Sequence, residues 1–122
     1  MNRDLPPKSG VLPLSIRDVD GTTVVSLSGA VDAMTAAAVR DGIKLALESG
    51  PRALVIDLTQ VDFLASVGLE ILVTTRQAVD ASTPVVVVAD GPVTRRPIEL
   101  TKVDEFVVLY PTLEAALAAL GN

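Results

Sequence analysis

The sequence predicts an α/β fold: a mixed sheet of four to five strands, the first antiparallel and the rest mostly parallel, with about four helices. Three observations carry this. Residues 53–58 and 84–89 are short, almost continuously apolar runs, the pattern of strands buried on both faces. Stretches with helical spacing of apolar residues separate them, which gives the strand–helix alternation of a layered sheet. The chain is 49% hydrophobic but only 2% aromatic, so its core must be aliphatic, as suits a sheet covered by helices.

Each element has a local reason. Residues 14–19 read as a first strand, and Asp20-Gly21 is a tight-turn signal that makes residues 23–28 its antiparallel neighbour. Gly29 to Asp32 is expected to break that strand, with Asp32 as the cap of the first helix. Ala36, Val39, Ile43, Ala46 and Leu47 recur at helical spacing. Lys44 and Glu48 are four apart and expected to pair, and Gly50-Pro51 ends the helix. Residues 53–58 form the third strand, residues 59–65 a loop, and residues 67–80 a second helix with Gly68, Leu69, Leu72 and Val79 on one side. After the strand at 84–89, Gly91-Pro92 opens a loop and short helix, where Pro97 is tolerated only in an early turn. Residues 106–110 read as an edge strand, and Thr112 caps a last helix with the stripe Leu113, Ala116, Leu117 and Leu120. Residues 1–11, with Pro6, Pro7 and Gly10, are expected to be a flexible tail, and residues 12–122 one domain.

Composition narrows the function. Net charge is −5 and Arg95-Arg96 is the one basic pair, so no direct nucleic-acid partner is expected. With no cysteine and no histidine, thiolate nucleophiles, Ser–His triads and His- or Cys-based metal sites are excluded. No glycine-rich phosphate loop occurs. The expectation is a binding protein, not an enzyme, without metal or cofactor. Neither a signal peptide nor a membrane insertion is read, so a cytoplasmic location is expected.

Loops at the carboxyl ends of parallel strands gather on one edge. That edge is expected to hold Asp32, Asp57, Asp62, Ser66, Asp90 and Arg95. Ser66 has two compatible readings. It can cap the second helix, and it can present a hydroxyl on the positive end of the helix dipole, where a phosphate would be well held. Asp57 and Asp62 read better as solvated loop acids than as a catalytic pair. Arg95-Arg96 reads as a solvated pair, with a phosphate or carboxylate clamp as the sharper alternative.

The order of two motifs resembles the signature of STAS-domain proteins, the family of anti-sigma factor antagonists. Gly29-Ala30-Val31-Asp32 is similar to the family's Gly-Glu-Leu-Asp turn. Asp57-Leu58-Thr59 through Phe63, then Ala65-Ser66-Val67-Gly68-Leu69, is similar to its Asp-Leu-Ser…Phe…Asp-Ser-Ser-Gly-Leu motif. The resemblance covers roughly residues 12–121 and implies a STAS-like fold. It further implies a protein that binds an anti-sigma factor of serine-kinase type and so releases a sigma factor. Phosphorylation at Ser66 would break the complex, and a serine phosphatase would restore it. By the same resemblance Asp32 meets the kinase, and Gly68 and Leu69 begin the docking helix; the partner-binding residues are expected to be Asp32, Ala65, Ser66, Val67, Gly68, Leu69, Leu72 and Arg95. Departures are Ala65 for the family's aspartate, Val67 for its second serine, and Ala30 for its glutamate. The alternative is a constitutive STAS scaffold, or a STAS subunit that binds a nucleotide or other small molecule, outside phosphorylation control.

Overall fold

The computed structural model describes residues 13–121, so the tail expected at residues 1–11 lies outside the described residues. In chain order the elements are β1 (Leu14–Val19), β2 (Thr22–Val31), α1 (Ala36–Leu47), β3 (Ala53–Leu64), α2 (Ser66–Ala78), β4 (Val85–Val88), α3 (Arg95–Leu100), a 3-10 turn (Val103–Glu105), β5 (Val108–Tyr110) and α4 (Leu113–Ala119). The strands form one sheet in the order β1-β2-β3-β4-β5. β1 is antiparallel to β2 and every other pairing is parallel. Asp20 and Gly21 take φ of 52° and 87°, the primed turn that an Asp-Gly pair favours between antiparallel strands. Pro97 sits in the first turn of α3, where its missing N–H costs nothing. Thr112 caps α4, its side chain accepting from the Ala115 amide at 3.0 Å.

Two aliphatic layers hold the sheet. On one face Val25, Leu27, Leu54, Ile56, Val85 and Val87 pack under Val39 and Ile43 of α1, Ile71 and Leu72 of α2, and Ile98 of α3. On the other, Val24, Val55, Val86 and Val88 pack against Ala116, Leu113 and Leu117 of α4. A side chain buried in such layers contributes roughly 1.5–3 kcal/mol. That explains how a chain almost without aromatics keeps a core.

Two expected boundaries are wrong, for one reason. Gly29 does not end β2, and residues 59–64 are not a loop: β2 runs to Val31 and β3 to Leu64, still paired. β3 carries two surplus residues here. Ser26 pairs with Asp57 but Ser28 with Gln60, and Gly29 pairs with Val61 but Ala30 with Phe63. Each shift is a bulge, which breaks the alternation of faces. The core-facing residues of β3 are therefore Leu54, Ile56, Leu58, Val61 and Leu64, in steps of two, two, three and three. Opposite them, Val25, Leu27 and Val31 keep the ordinary step, with Gly29 at φ 88° beside the second bulge. Asp57, expected at a strand end, is instead inside β3 and buried. Its Oδ1 accepts the Thr59 amide at 2.9 Å within the first bulge.

This register makes a prediction. Val61 is 7% exposed and its neighbour on the far side of the second bulge, Phe63, is 53% exposed. Val61→Asp places an unpaired charge in the core and is expected to lower unfolding free energy by about 3 kcal/mol or more. Phe63→Asp is expected to change it by less than about 1 kcal/mol. Urea unfolding of the two variants checks this; equal tolerance would mean that the segment is a loop.

Candidate functional site

The extended β2–β3 arm carries the site. β4 stops at Val88, level with Asp57, whereas β2 and β3 continue to Val31 and Leu64. At their tip the Ala65 amide donates to the Val31 carbonyl at 2.8 Å. Asp32 and Ser66 each follow one residue beyond that bond, so the expected juxtaposition of the two loops is present.

Asp32 is not the helix cap. That position belongs to Thr35, and Asp32 closes the turn ahead of it. Its Oδ1 accepts the amides of Met34 at 2.9 Å and Thr35 at 3.1 Å. The buried Thr35 hydroxyl donates to the Ala30 carbonyl at 2.9 Å and accepts the Asp32 amide at 3.0 Å. The tip of β2 is thus locked by a short side chain bonded to its own backbone, a common substitute for regular structure at a turn.

Ser66 is the first residue of α2, and the cap position is Ala65, in extended conformation with no side-chain bond. The serine is not spent on capping. Its side chain is exposed and makes no hydrogen bond to another described residue. The first amides of a helix lack intrahelical acceptors and form its positive end. No acidic residue stands in this first turn, so nothing there offsets that field.

Gly68 fixes where the helix starts. A Cβ built on it would lie 2.6 Å from Leu64 Cδ1 and 2.8 Å from Val31 Cγ1, the last core residues of the two strands. Only a residue without a Cβ lets α2 rest this close to the arm. Ala65, Val67 and Leu69 are half-buried around Ser66. Leu72 is 3% exposed and belongs to the core, so the expected contact surface does not reach it. The buried stripe of α2 is Gly68, Ile71, Leu72 and Thr75.

The other expected residues stand on other segments. Asp62 and Asp90 are exposed on separate segments. Arg95 is on α3, its Nε donating to Glu99 Oε2 at 3.1 Å. Its loop follows the short β4, so it begins about where the β2–β3 arm starts to extend. No cluster of acidic side chains fit for a metal occurs among the described residues. Asp80, past the far end of α2, is held below the usual carboxylate range by the Ser82 amide and hydroxyl, with a weaker pull from Arg76. Two residues not expected at the site also stand toward the tip: Met34, 62% exposed, and the motif residue Phe63. Phe63 is one of two phenylalanines in the chain, a rarity that could have marked it.

Among proteins already known, a family model described as the STAS domain matches residues 14–116. The anti-sigma-F factor antagonist RsfB of Mycobacterium tuberculosis is 43% identical over 106 residues, 87% of each chain. A crystal structure of an anti-sigma factor antagonist from Mycobacterium paratuberculosis is 44% identical, covers 96% of this chain and all of its own, and superposes with a TM-score of 0.89. The anti-sigma factor antagonist SpoIIAA, in its unphosphorylated form, shares the fold at 18% identity, with a TM-score of 0.68 over 90% of this chain and 99% of its own. No described helix is long and apolar enough to cross a membrane.

Gly68→Ala is expected to destabilise the protein. Overpacking against Val31 and Leu64 costs about 1–3 kcal/mol, whereas alanine's better helix propensity returns at most about 1 kcal/mol. Ser66→Ala, which removes an exposed hydroxyl without a bond, is expected to stay within about 0.5 kcal/mol of the parent. Urea midpoints of both variants check the pair, and an unchanged Gly68→Ala would mean that the helix start has slack.

Proposed function

The chain belongs to the STAS-domain family, and from that premise we propose that it is an anti-sigma factor antagonist controlled through Ser66. The unphosphorylated protein binds an anti-sigma factor of serine-kinase type, and the sigma factor held by that partner is released. The kinase phosphorylates Ser66 and the complex separates; a serine phosphatase resets it. The observation that carries this reading is the exposed, uncommitted Ser66 hydroxyl at the first position of α2.

The chemistry of the corner supports the reading. A neutral hydroxyl can be covered by a partner at little cost. Phosphorylation adds about −1.5 to −2 charge at the same atom. In the free protein that charge meets backbone amides at the helix start and no first-turn acid. Ala65, where the family has aspartate, removes the nearest source of repulsion. Inside an interface the same charge loses its water. A buried charge without a partner costs roughly 2–5 kcal/mol, and each ~1.4 kcal/mol is tenfold in affinity.

The docking surface in this proposal comprises Asp32, Ala65, Ser66, Val67, Gly68 and Leu69. Met34 and Phe63 add exposed apolar area at its rim, and Leu72 and Arg95 fall outside it. The surface needs no metal, nucleotide or catalytic group, consistent with a regulatory binding protein.

The test is binding to a cognate anti-sigma factor by calorimetry. Ser66→Ala is expected to keep parental affinity, and Ser66→Glu to lose about two to three orders of magnitude, on the costs just given. Incubation with the kinase and ATP is expected to phosphorylate the parent and not Ser66→Ala, as read by mass spectrometry. Equal binding by both variants, with no mass increase in the parent, would make the protein a constitutive antagonist.

A further inference from the structure

A second feature lies between the same two helices, below the corner that carries Ser66. α1 and α2 follow neighbouring parallel strands and return over the same face, so they run side by side in the same direction. A groove of about 280 Å³ opens between them, walled by Ile43 and Leu47 of α1 and by Ile71 and Ala78 of α2. Arg40 and Glu70 lie 3.8 Å apart across its upper end and set the level of one helix against the other. Four residues further along each, Lys44 comes opposite Thr74 and Thr75, and all three line the groove.

Among the described residues, Lys44 and Thr75 both lack partners. The expected Lys44–Glu48 pair does not form, and Lys44 makes no ion pair or hydrogen bond with another described residue. Thr75 is 6% exposed. A helical threonine usually donates to the carbonyl three or four residues back. Here the Ile71 carbonyl takes the Thr74 hydroxyl at 3.1 Å, and the Thr75 hydroxyl has no acceptor among the described residues. Buried polar groups without a partner are uncommon in folded proteins and call for an explanation, such as an ion or ligand that they meet. The groove therefore combines apolar walls, a free cation at its rim and a buried free donor at the same level.

We infer that this groove binds a medium-chain carboxylate. The carboxylate sits between the Lys44 ammonium and the Thr75 hydroxyl, both donating to it. The alkyl chain lies against Leu47 and Ala78, which also border a further depression toward Pro51 and Val79. The volume lies just below the range of drug-sized ligand sites, about 300–1,000 Å³, which suits a single short alkyl chain. Its walls offer too few polar groups for a nucleotide. This site is separate from the Ser66 corner and does not depend on the regulatory reading above.

The test is a titration of the full-length ¹⁵N-labelled protein with octanoate, octanol and acetate, followed by amide chemical shifts. Octanoate is expected to saturate, with shifts confined to residues 40–51 and 71–79. Octanol and acetate, each lacking half of the recognition, are expected to bind more weakly by about tenfold or more. Lys44→Gln is expected to weaken octanoate by about tenfold and leave octanol unchanged. Thr75→Val is expected to weaken octanoate too, while raising the melting temperature of the ligand-free protein, because it removes a buried polar group that has no bond to lose. Shifts that rise without saturation or scatter over the surface would overturn the assignment. So would acetate binding as well as octanoate, octanoate binding untouched by Lys44→Gln, or a Thr75→Val variant that melts lower than the parent.

Discussion

Pairing of β2 with β3 beyond the reach of β4 is the constraint on which the site depends. The hydrogen bond from Ala65 to Val31 closes that arm and delivers two chain segments to one tip. Asp32 locks one segment through its own turn, and Gly68 seats the other against Val31 and Leu64. Neither Asp32 nor Ser66 is placed by a contact with the other. Both are placed by the backbone beneath them, which leaves the serine side chain free.

That freedom matters because the chain carries so little other chemistry. It has no histidine or cysteine, and its described acids do not gather. In the proposed switch, a hydroxyl held at a helix start, with the core directly below it, is the fixed point at which charge would be added. The close-packed aliphatic layers on either side of the sheet would keep that point from adjusting to the change. A partner covering the corner would then feel the whole effect.

Much of this was legible in the sequence, where local chemistry decides structure. The Asp20-Gly21 turn, the α1 periodicity, the Val-rich β4 and the Thr112 cap each depend on residues a few positions apart. The outer half of β3 was not legible, because two bulges replace steps of two by steps of three and imitate a loop. Gly29 read as a strand breaker for the same reason, although its φ serves a strand that continues. At the site, the exposure of Ser66 could be anticipated from its position after an apolar run. The depth of Leu72 could not: helical spacing groups it with Leu69, and only packing against the sheet separates the two. The pairing of Arg95 with Glu99 was not foreseen either, although the two stand four apart on one helix.

The surplus residues of β3 also bear on how chains of this architecture can vary in length. Each bulge absorbs one of them, so the step of three that crosses it keeps Leu58, Val61 and Leu64 on one face. Loss of the surplus residue at either bulge would restore a step of two and leave Leu64 on the core face, paired with Val31. Loss of a residue from the regular part of β3 would instead turn every later side chain over. The bulges are therefore the places where such a chain can shed a residue and still launch its second helix from the same side of the sheet.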